Sequence, residues 1–188
     1  MNEGHLKFLS SPEWAHMLEV DLLPWVLRVG GLGDDVLEIG PGPGLTTDLL
    51  RARAEHVTAV EVDDDLARAL SERLAGANVE VIHADATTAD IGAERFTTAT
   101  CFSMLHHLES ADQQGRLYRA VARALRPGGM FVGVDSLDLE AIREAHNGDT
   151  FNPVDPSTFA AQLELVGLRD VRIDLGEYQF RFAASKPG

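Results

Sequence analysis

The chain is poor in cysteine, in basic residues and in long apolar runs. Its one cysteine, Cys101, cannot form an internal disulfide, and there is no CxxC pair to hold a structural zinc ion. This cysteine usage is typical of a reducing cytoplasm, where we expect the protein to reside. No apolar run is long enough to cross a bilayer, so no membrane association is expected. The first ten residues mix charged and polar with apolar side chains, unlike the apolar centre of a secretory signal.

Basic side chains are outnumbered, because 16 lysines and arginines stand against 30 aspartates and glutamates, for a formal net charge of −14. A surface this acidic repels phosphate backbones, so no nucleic-acid partner is expected. Four arginines fall on or directly after one predicted helix and could form a local basic face, but a solvated helix face is the favoured interpretation: Arg116, Arg119, Arg123 and Arg126. The length of 188 residues and a hydrophobic fraction of 45% predict one globular domain.

The segment before residue 34 predicts helices. Ser11 is a suitable N-cap with Pro12 in the first turn, and Pro24 is expected to break or kink the helix. Side chains at helical spacing predict a buried stripe, formed by Trp14, Leu18, Leu22 and Trp25.

From residue 34 onward, strand-like and helix-like segments alternate. The predicted strands cover residues 36–39, 57–62, 79–83, 97–103 and 130–134, with two more around a turn within 168–184. The predicted helices cover residues 45–54, 64–75, 111–125 and 156–166. This alternation implies a mostly parallel, doubly wound α/β sheet, and the final pair of strands is close enough to form an antiparallel hairpin. We expect a single domain over residues 1–188, with a helical N-terminal lid over 1–33 and a core over 34–188.

The strongest local signal is a glycine-rich segment after the first predicted strand, where residues 38–44 read E-x-G-x-G-x-G. Glycines let the backbone pass close to a ligand, since no side chain intrudes. In open α/β sheets, ligands bind at the carboxyl ends of the strands. The dinucleotide fingerprint G-x-G-x-x-G is absent, because its sixth position is Leu45 counted from Gly40 and Thr47 counted from Gly42.

Two acidic residues follow the next two strands. Glu61 ends the second predicted strand, about 20 residues past the first glycine, where Rossmann-type folds place a ribose-binding carboxylate. The alternative is a solvated acid, since three aspartates follow directly; the first of these, Asp63, is better explained as a helix cap. Asp85 follows the third strand, where an aspartate is usually a turn residue.

Two further segments complete the pattern: residues 100–108, TCFSMLHHL, and residues 125–130, LRPGGM. Together with the glycine segment and the two acids, they resemble in order and spacing the signatures of the class I S-adenosylmethionine-dependent methyltransferases, in their small type 11/25-like domain form. The resemblance is strongest over residues 35–134 and weaker over residues 151–186.

The resemblance implies a Rossmann-like sheet of seven strands in the order 3-2-1-4-5-7-6, with the last strand antiparallel. It implies S-adenosyl-L-methionine as cofactor, with Asp85 accepting a hydrogen bond from the adenine amino group, and in-line transfer of the methyl group. The protein then mainly has to align donor and acceptor and exclude water. The predicted cofactor-binding residues are Glu38, Gly40, Pro41, Gly42, Gly44, Glu61, Val62, Asp85, Ala86 and Ser103.

His106 and His107 are the predicted catalytic residues. Histidine titrates near neutrality, and this segment in the family faces cofactor and substrate, so either could act as a base. The alternative is that one packs the loop while the other lines the pocket passively. A metal role is set aside, because no third ligand stands out nearby. Cys101 is expected to be a buried, inert thiol, and the loop around His146 is expected to be polar.

Three rival functions remain for comparison. A nicotinamide-dependent dehydrogenase would need the missing fingerprint and a catalytic pair that neither Tyr118 nor Tyr178 supplies. Transfer of an aminopropyl group would need an acidic motif that binds a polyamine, and the sequence shows no such motif. A non-catalytic scaffold that binds S-adenosylmethionine stays open, because cofactor residues do not prove turnover. The short chain leaves the acceptor site to the N-terminal segment and residues 145–154, which favours a small-molecule acceptor, a partly open site or a partner that completes it; the oligomeric state is open.

Overall fold

A seven-stranded sheet runs through residues 3–188, the part of the chain that the computed structural model describes. Its strands are β1 (Asp35–Ile39), β2 (His56–Glu61), β3 (Val79–His83), β4 (Phe96–Phe102), β5 (Leu125–Ser136), β6 (Arg169–Leu175) and β7 (Gln179–Ser185). They lie in the order β3-β2-β1-β4-β5-β7-β6. The first five pair in parallel, and β7 runs antiparallel to both β5 and β6. The predicted fold class, strand order and antiparallel last strand are confirmed.

Helices cover both faces of the sheet and precede it. The α-helices of the described chain are α1 (Glu3–Leu9), α2 (Pro12–Met17), α3 (Leu23–Val29), α4 (Leu45–Arg51), α5 (Asp64–Arg73), α6 (Ala111–Ala124), α7 (Glu140–Ala145) and α8 (Pro156–Leu165). Each of α4, α5 and α6 connects a strand to a parallel neighbour, which makes the predicted βαβ units. Within residues 3–188, no helix combines the length and the apolar character needed to span a bilayer.

The central strands are buried on both faces, which is why their sequences read as nearly continuous apolar runs. In β1, Val36 and Leu37 are fully buried, and Cys101 of β4 is equally inaccessible, as predicted. The edge strand β6 is mostly exposed or half-buried instead.

The N-terminal helices follow the sequence prediction for the described residues, whereas residues 1 and 2 of the predicted lid lie outside them. The Ser11 hydroxyl accepts a hydrogen bond from the Trp14 amide at 3.1 Å, and Pro12 begins α2. A π-helical turn over Leu18–Leu22 interrupts the helix, and Pro24 lies in the first turn of α3, so the predicted break is confirmed. The predicted stripe is buried: Trp14, Leu18, Leu22 and Trp25.

Two polar contacts hold these helices against the antiparallel end of the sheet. The Trp25 indole N–H donates to Asp174 of β6 at 2.9 Å. Arg181 of β7 forms an ion pair with Asp21. Both contacts join residues that are far apart in the sequence, so the segment before β1 is docked on the last two strands.

The connection between β5 and α8 differs from the prediction of a polar loop. Helix α7 lies in it, ends at Ala145 and has His146 as its C-cap. This helix has no buried residue, and its N-cap, Leu139, forms no side-chain hydrogen bond. The sequence therefore carries neither the apolar stripe nor the cap by which a helix is predicted.

Strand β5 also begins earlier than predicted, at Leu125 instead of Met130. The register of its pairing with β4 shifts between the pairs made by Phe96 and Thr98. Gly128 in this interruption has a φ of +79°, which favours glycine. The predicted turn is therefore present, as an irregularity within the strand.

Candidate functional site

A cavity of about 500 Å³, here called the central cavity, opens at the carboxyl ends of the parallel strands. Its wall includes Ile39 at the end of β1, Glu61 at the end of β2 and Phe102 at the end of β4. Leu9 of α1 and Thr150 also line it, although both are distant in sequence from the strand ends. Its volume is within the range of small-molecule sites, roughly 300–1,000 Å³.

The glycine turn after β1 contributes Gly40 and Gly42 to the wall of the central cavity. Their φ angles are +68° and +54°. A Cβ at Gly42 would meet no atom within 4 Å, so a ligand can approach the backbone there, whereas a Cβ at Gly40 would fall 2.6 Å from Met104 Cγ. Gly44 has a packing role instead, because it caps α4 and a Cβ there would fall 2.4 Å from Leu70 Cδ1.

Glu38 and Pro41 lie beside a smaller neighbouring cavity and not on the central one. Glu38 is 2% exposed, and the Thr47 hydroxyl donates to its Oε2 at 2.6 Å. Burial raises the pKa of Glu38 to about 8, and the Glu61 carboxylate adds to this shift. The Glu38 carboxyl is therefore mostly uncharged at neutral pH and supports the turn from beneath.

Glu61 ties the end of β2 to the glycine turn. Its Oε2 accepts from the Gly42 amide at 3.0 Å, and its Oε1 accepts from the amides of Val62 at 2.9 Å and Asp63 at 3.0 Å. A carboxylate offers about four lone-pair positions, of which these bonds use three. A ribose hydroxyl can take the fourth, and a second hydroxyl would require one backbone bond to lengthen.

Asp85 is a turn residue that also reaches the central cavity, and its predicted contact with the cofactor stays a prediction. Its Oδ1 accepts from the Thr87 amide at 2.8 Å, so it stabilises the turn after β3, and the residue also lines the central cavity. Ser103, directly after β4, has a φ of +53°, which is unusual for a residue with a side chain. Seven of the ten predicted cofactor-binding residues line the central cavity: Gly40, Gly42, Glu61, Val62, Asp85, Ala86 and Ser103.

The structure separates the two predicted catalytic histidines. His107 lines the central cavity, whereas His106 is fully buried and is not on its wall. Burial lowers the pKa of His107 to about 4, helped by the neighbouring His106, so its ring is neutral at neutral pH. His106 Nδ1 contacts the buried carboxylate of Asp135 on β5. An acceptor in the cavity can therefore contact His107, and His106 can act only through other groups.

A third histidine joins this pair. His146, at the C-cap of α7, is 7% exposed, and its Nε2 lies 3.1 Å from His106 Nε2. Ring nitrogens of His106, His107 and His146 lie within 4.8 Å of one another. From the sequence no third ligand is expected near His106 and His107, and that expectation is wrong, because His146 supplies a third nitrogen. His146 is 40 positions from His106, and nothing in the sequence except its residue type indicates that α7 returns it to the turn after β4.

The connection after β5 also reaches the cavity wall, through Asp149 and Thr150. Glu109 and Gln113, before and within the first turn of α6, lie on the same wall. Together with Leu9 they bring polar and apolar side chains from outside the strand ends. This agrees in position with the predicted acceptor site, which stays a prediction.

A family model described as "Methyltransferase domain" matches residues 36–129. The ribosomal RNA small subunit methyltransferase A of Deinococcus radiodurans is 40% identical over 79 residues, which cover 41% of this chain and 27% of that protein. The chain spans between 16% and 27% of the length of the first curated relatives that it matches.

Solved structures share the fold over nearly the whole chain. A SAM dependent methyltransferase from Aquifex aeolicus superposes with a TM-score of 0.76 at 20% identity, covering 99% of each chain. The N-methyltransferase NodS from Bradyrhizobium japonicum WM9, in complex with S-adenosyl-l-homocysteine, gives 0.75 at 19% identity, covering 96% of this chain and 91% of that one. At these identities the similarity concerns the fold.

Proposed function

The chain belongs to the methyltransferase-domain family, and from this membership we propose that it transfers a methyl group from S-adenosylmethionine to an acceptor bound in the central cavity. Nothing in this proposal requires the dinucleotide chemistry of a dehydrogenase, whose fingerprint is missing from the glycine turn. The residues of the cavity divide into a cofactor side, formed by the ends of the strands, and an acceptor side, formed by the turn after β4 and the connection after β5.

One observation carries the proposal: two carboxylates from adjacent strand ends line the same cavity as a turn without side chains. Glu61 and Asp85 supply the acceptors, while Gly40 and Gly42 supply the turn. S-adenosylmethionine presents hydrogen-bond donors on its ribose and adenine, to which two carboxylate acceptors are complementary. The open space over Gly42 leaves room for such a ligand against the backbone. The residues present thus fit this cofactor.

When bound, the cofactor supplies a methyl group already activated by a positive sulfur. The residues of the chain have to bind, orient and exclude water, and in ideal cases such positioning lowers a barrier by roughly 7–11 kcal/mol. Leu9, Phe102 and Met104 give the cavity an apolar wall that excludes water. The polar groups described above fix the orientation.

We place the acceptor beside His107, Asp149 and Thr150. The ring of His107 is unprotonated at neutral pH, because burial lowers its pKa to about 4, and it can accept a hydrogen bond from an acceptor. As a base it is weak, since the same low pKa disfavours the protonated ring. This base role is a prediction, as it was from the sequence.

A small molecule is the acceptor class that the charge favours. A net charge of −14 opposes binding to RNA, although the first curated relatives are named as ribosomal RNA methyltransferases. We also propose a cytoplasmic location, because the one cysteine, Cys101, is a buried free thiol, as is typical of a reducing compartment.

Calorimetric titration with S-adenosylhomocysteine tests the cofactor side. Glu61→Gln and Asp85→Asn keep the size of each side chain and remove one acceptor, so each is expected to weaken binding by about 1–3 kcal/mol, or roughly 5–150-fold. Asp65→Asn, an exposed aspartate outside the cavity, is the matched control and should bind as the wild type does. Unchanged affinity in both cavity variants would refute the site.

Transfer of a labelled methyl group to a panel of small amines, phenols and thiols, and separately to total RNA, tests the reaction. The proposal expects turnover with one of the small-molecule classes and none with RNA. Methylated RNA would overturn the acceptor class. Tight cofactor binding without turnover on the whole panel would favour the non-catalytic scaffold.

A further inference from the structure

A buried histidine cluster, made of His106, His107 and His146, lies at the edge of the central cavity. His106 is fully buried, His146 nearly so, and His107 is on the cavity wall. The rings of His106 and His107 have centroids 4.3 Å apart, and those of His106 and His146 are 4.8 Å apart. The proposed methyl transfer involves at most one of these imidazoles, so it does not explain why three of them lie together.

Two of these rings are oriented by backbone carbonyl groups. His146 Nδ1 lies 2.7 Å from the Ile142 carbonyl oxygen, and His107 Nδ1 lies 3.2 Å from the Thr150 carbonyl oxygen. A carbonyl oxygen only accepts, so each Nδ1 carries the proton, and in the neutral ring Nε2 has the lone pair. Histidines that bind metals make this same contact through their second nitrogen.

The third ring is oriented by a carboxylate. His106 Nδ1 contacts Asp135, whose Oδ1 also accepts from the Ser136 amide at 2.9 Å. Asp135 is fully buried, and among the ion pairs of the described residues its partner is His106. If it is ionised, a carboxylate buried this deeply requires a compensating positive charge. The arrangement of carboxylate and histidine is the one that surrounds many protein-bound zinc ions.

The two most buried rings point their Nε2 atoms at each other, 3.1 Å apart. The Ile142 carbonyl requires a proton on His146 Nδ1, and an ionised Asp135 requires one on His106 Nδ1. The two Nε2 lone pairs then face each other, which is repulsive unless a cation lies between them. That cation is a proton or a metal ion. Nitrogen ligands of a tetrahedral zinc ion, with bonds of about 2.0–2.1 Å, lie roughly 3.4 Å apart, close to the 3.1 Å between these two atoms. The three ligand atoms span 4.8 Å, so the His107 ring has to move inward when an ion binds.

We propose that His106, His107 and His146 bind a divalent transition-metal ion of the zinc type. Asp135 completes the charge balance, and Phe151, with its ring 4.6 Å from that of His146, shields the cluster. Three nitrogen ligands leave a fourth position for solvent or substrate, as in catalytic zinc sites. Because His107 is on the cavity wall, the ion would adjoin the acceptor side, where it would lower the pKa of a coordinated hydroxyl or thiol. The ion would then replace His107 as the group that activates the acceptor, since the Nε2 lone pair cannot bind a metal ion and a proton together.

Metal binding to the untagged, full-length protein tests this site. The protein is stripped with a chelator and titrated with Co²⁺, followed by its visible absorption, and with Zn²⁺ by calorimetry. One ion per chain is expected. His146→Gln removes a ligand at a helix end, and binding should weaken by more than about 100-fold, since loss of a mere orienting partner typically costs about 10–100-fold.

His56→Gln is the matched control, because His56 is exposed and lies at the start of β2, whereas the central cavity is at the end of that strand. It should bind the ion as the wild type does. Equal binding by the His146 variant and the control, or no binding by the wild type, would overturn the metal site. Absence of metal binding by the wild type, together with an imidazolium signal in the NMR spectrum of labelled histidine at neutral pH, would identify a proton shared between His106 and His146.

Titration with S-adenosylhomocysteine is run on the same proteins. The metal proposal does not depend on the proposed function, so retained cofactor binding with no metal binding rejects the ion alone. Cofactor binding by His146→Gln also shows that this variant is folded. Loss of metal binding in a folded variant then supports the site.

Discussion

At the scale of the residue, two glutamates on neighbouring strands show how burial divides chemical roles. Glu61 accepts three backbone N–H groups at the cavity wall, whereas Glu38 lies beneath the glycine turn with the Thr47 hydroxyl as its donor. Because Glu38 is removed from water, its pKa rises to about 8, above its ordinary value of 4.5. The two carboxyls therefore have different surroundings: Glu61 lines the central cavity, and Glu38 is buried behind the glycine turn.

The Glu38 carboxyl predicts a pH dependence of stability. Between pH 4.5 and about 8 the folded state binds more protons at this residue than the unfolded state does. Its stabilising contribution is therefore present below pH 4.5 and is lost as pH rises towards 8. Glu38→Gln imitates the protonated form and should flatten this decline, which is on the order of a few kcal/mol.

Urea unfolding at a series of pH values from 5 to 8.5 measures the effect. Glu177→Gln, in the exposed turn between β6 and β7, is the control and should keep the wild-type slope. If the Glu38 variant loses stability with pH as steeply as the control, Glu38 does not carry the raised pKa.

The residues that sequence reasoning placed correctly are those at strand ends. Gly40, Gly42, Glu61 and Asp85 reach the cavity because the carboxyl ends of parallel strands meet at one edge of a sheet. How deeply a side chain is buried cannot be predicted in the same way, since it depends on which residues pack behind the turn. Thus the sequence could not separate His107 from a fully buried neighbour, nor Gly44 from the glycines on the wall.

At the scale of the element, apolar runs and capping residues predicted most strands and helices. They failed for α7, which buries no side chain, and this helix brings His146 to the cluster. The missing element and the missing ligand thus have one cause. Where an element is held by its ends and not by an apolar face, only the three-dimensional arrangement shows it.

Capping gives a prediction for α6. The Ser110 hydroxyl accepts from the Gln113 amide at 3.3 Å at the start of this helix, whose buried face includes Leu117 and Val121. Ser110→Ala should destabilise the protein by about 0.5–2 kcal/mol, whereas Ser110→Asp keeps an acceptor at the cap and should stay close to the wild type. The free energies of unfolding in urea compare the two, and equal losses would mean that the cap contributes nothing.

At the scale of the whole molecule, the first helices and the last two strands are joined across the sheet. Trp25 of α3 meets Asp174 of β6, and Asp21 meets Arg181 of β7. These contacts link segments on either side of the matched family region, residues 36–129. The N-terminal helices, of which Leu9 lines the central cavity, are therefore braced by the antiparallel end of the sheet.

A double-mutant cycle tests this brace. Trp25→Phe removes the indole N–H, and Asp174→Ala removes its acceptor together with the exposed ion pair to Arg172. Loss of the indole hydrogen bond should lower stability by about 0.5–1.5 kcal/mol in each variant, beyond any loss of packing. The pair should be non-additive by about 0.5 kcal/mol or more, because both changes remove one bond. Strict additivity in urea unfolding would show that the two residues act independently.

The place of β7 between β5 and β6 has a consequence for biosynthesis. As the chain leaves the ribosome, the parallel strands β1 to β5 are complete before β7 exists, so the outer edge of β5 exposes unpaired backbone groups. β6 is made first, yet it has no partner until β7 inserts between it and β5. Until the β6–β7 hairpin pairs with β5, the nascent protein therefore has an exposed strand edge that is prone to aggregation and that a chaperone can shield.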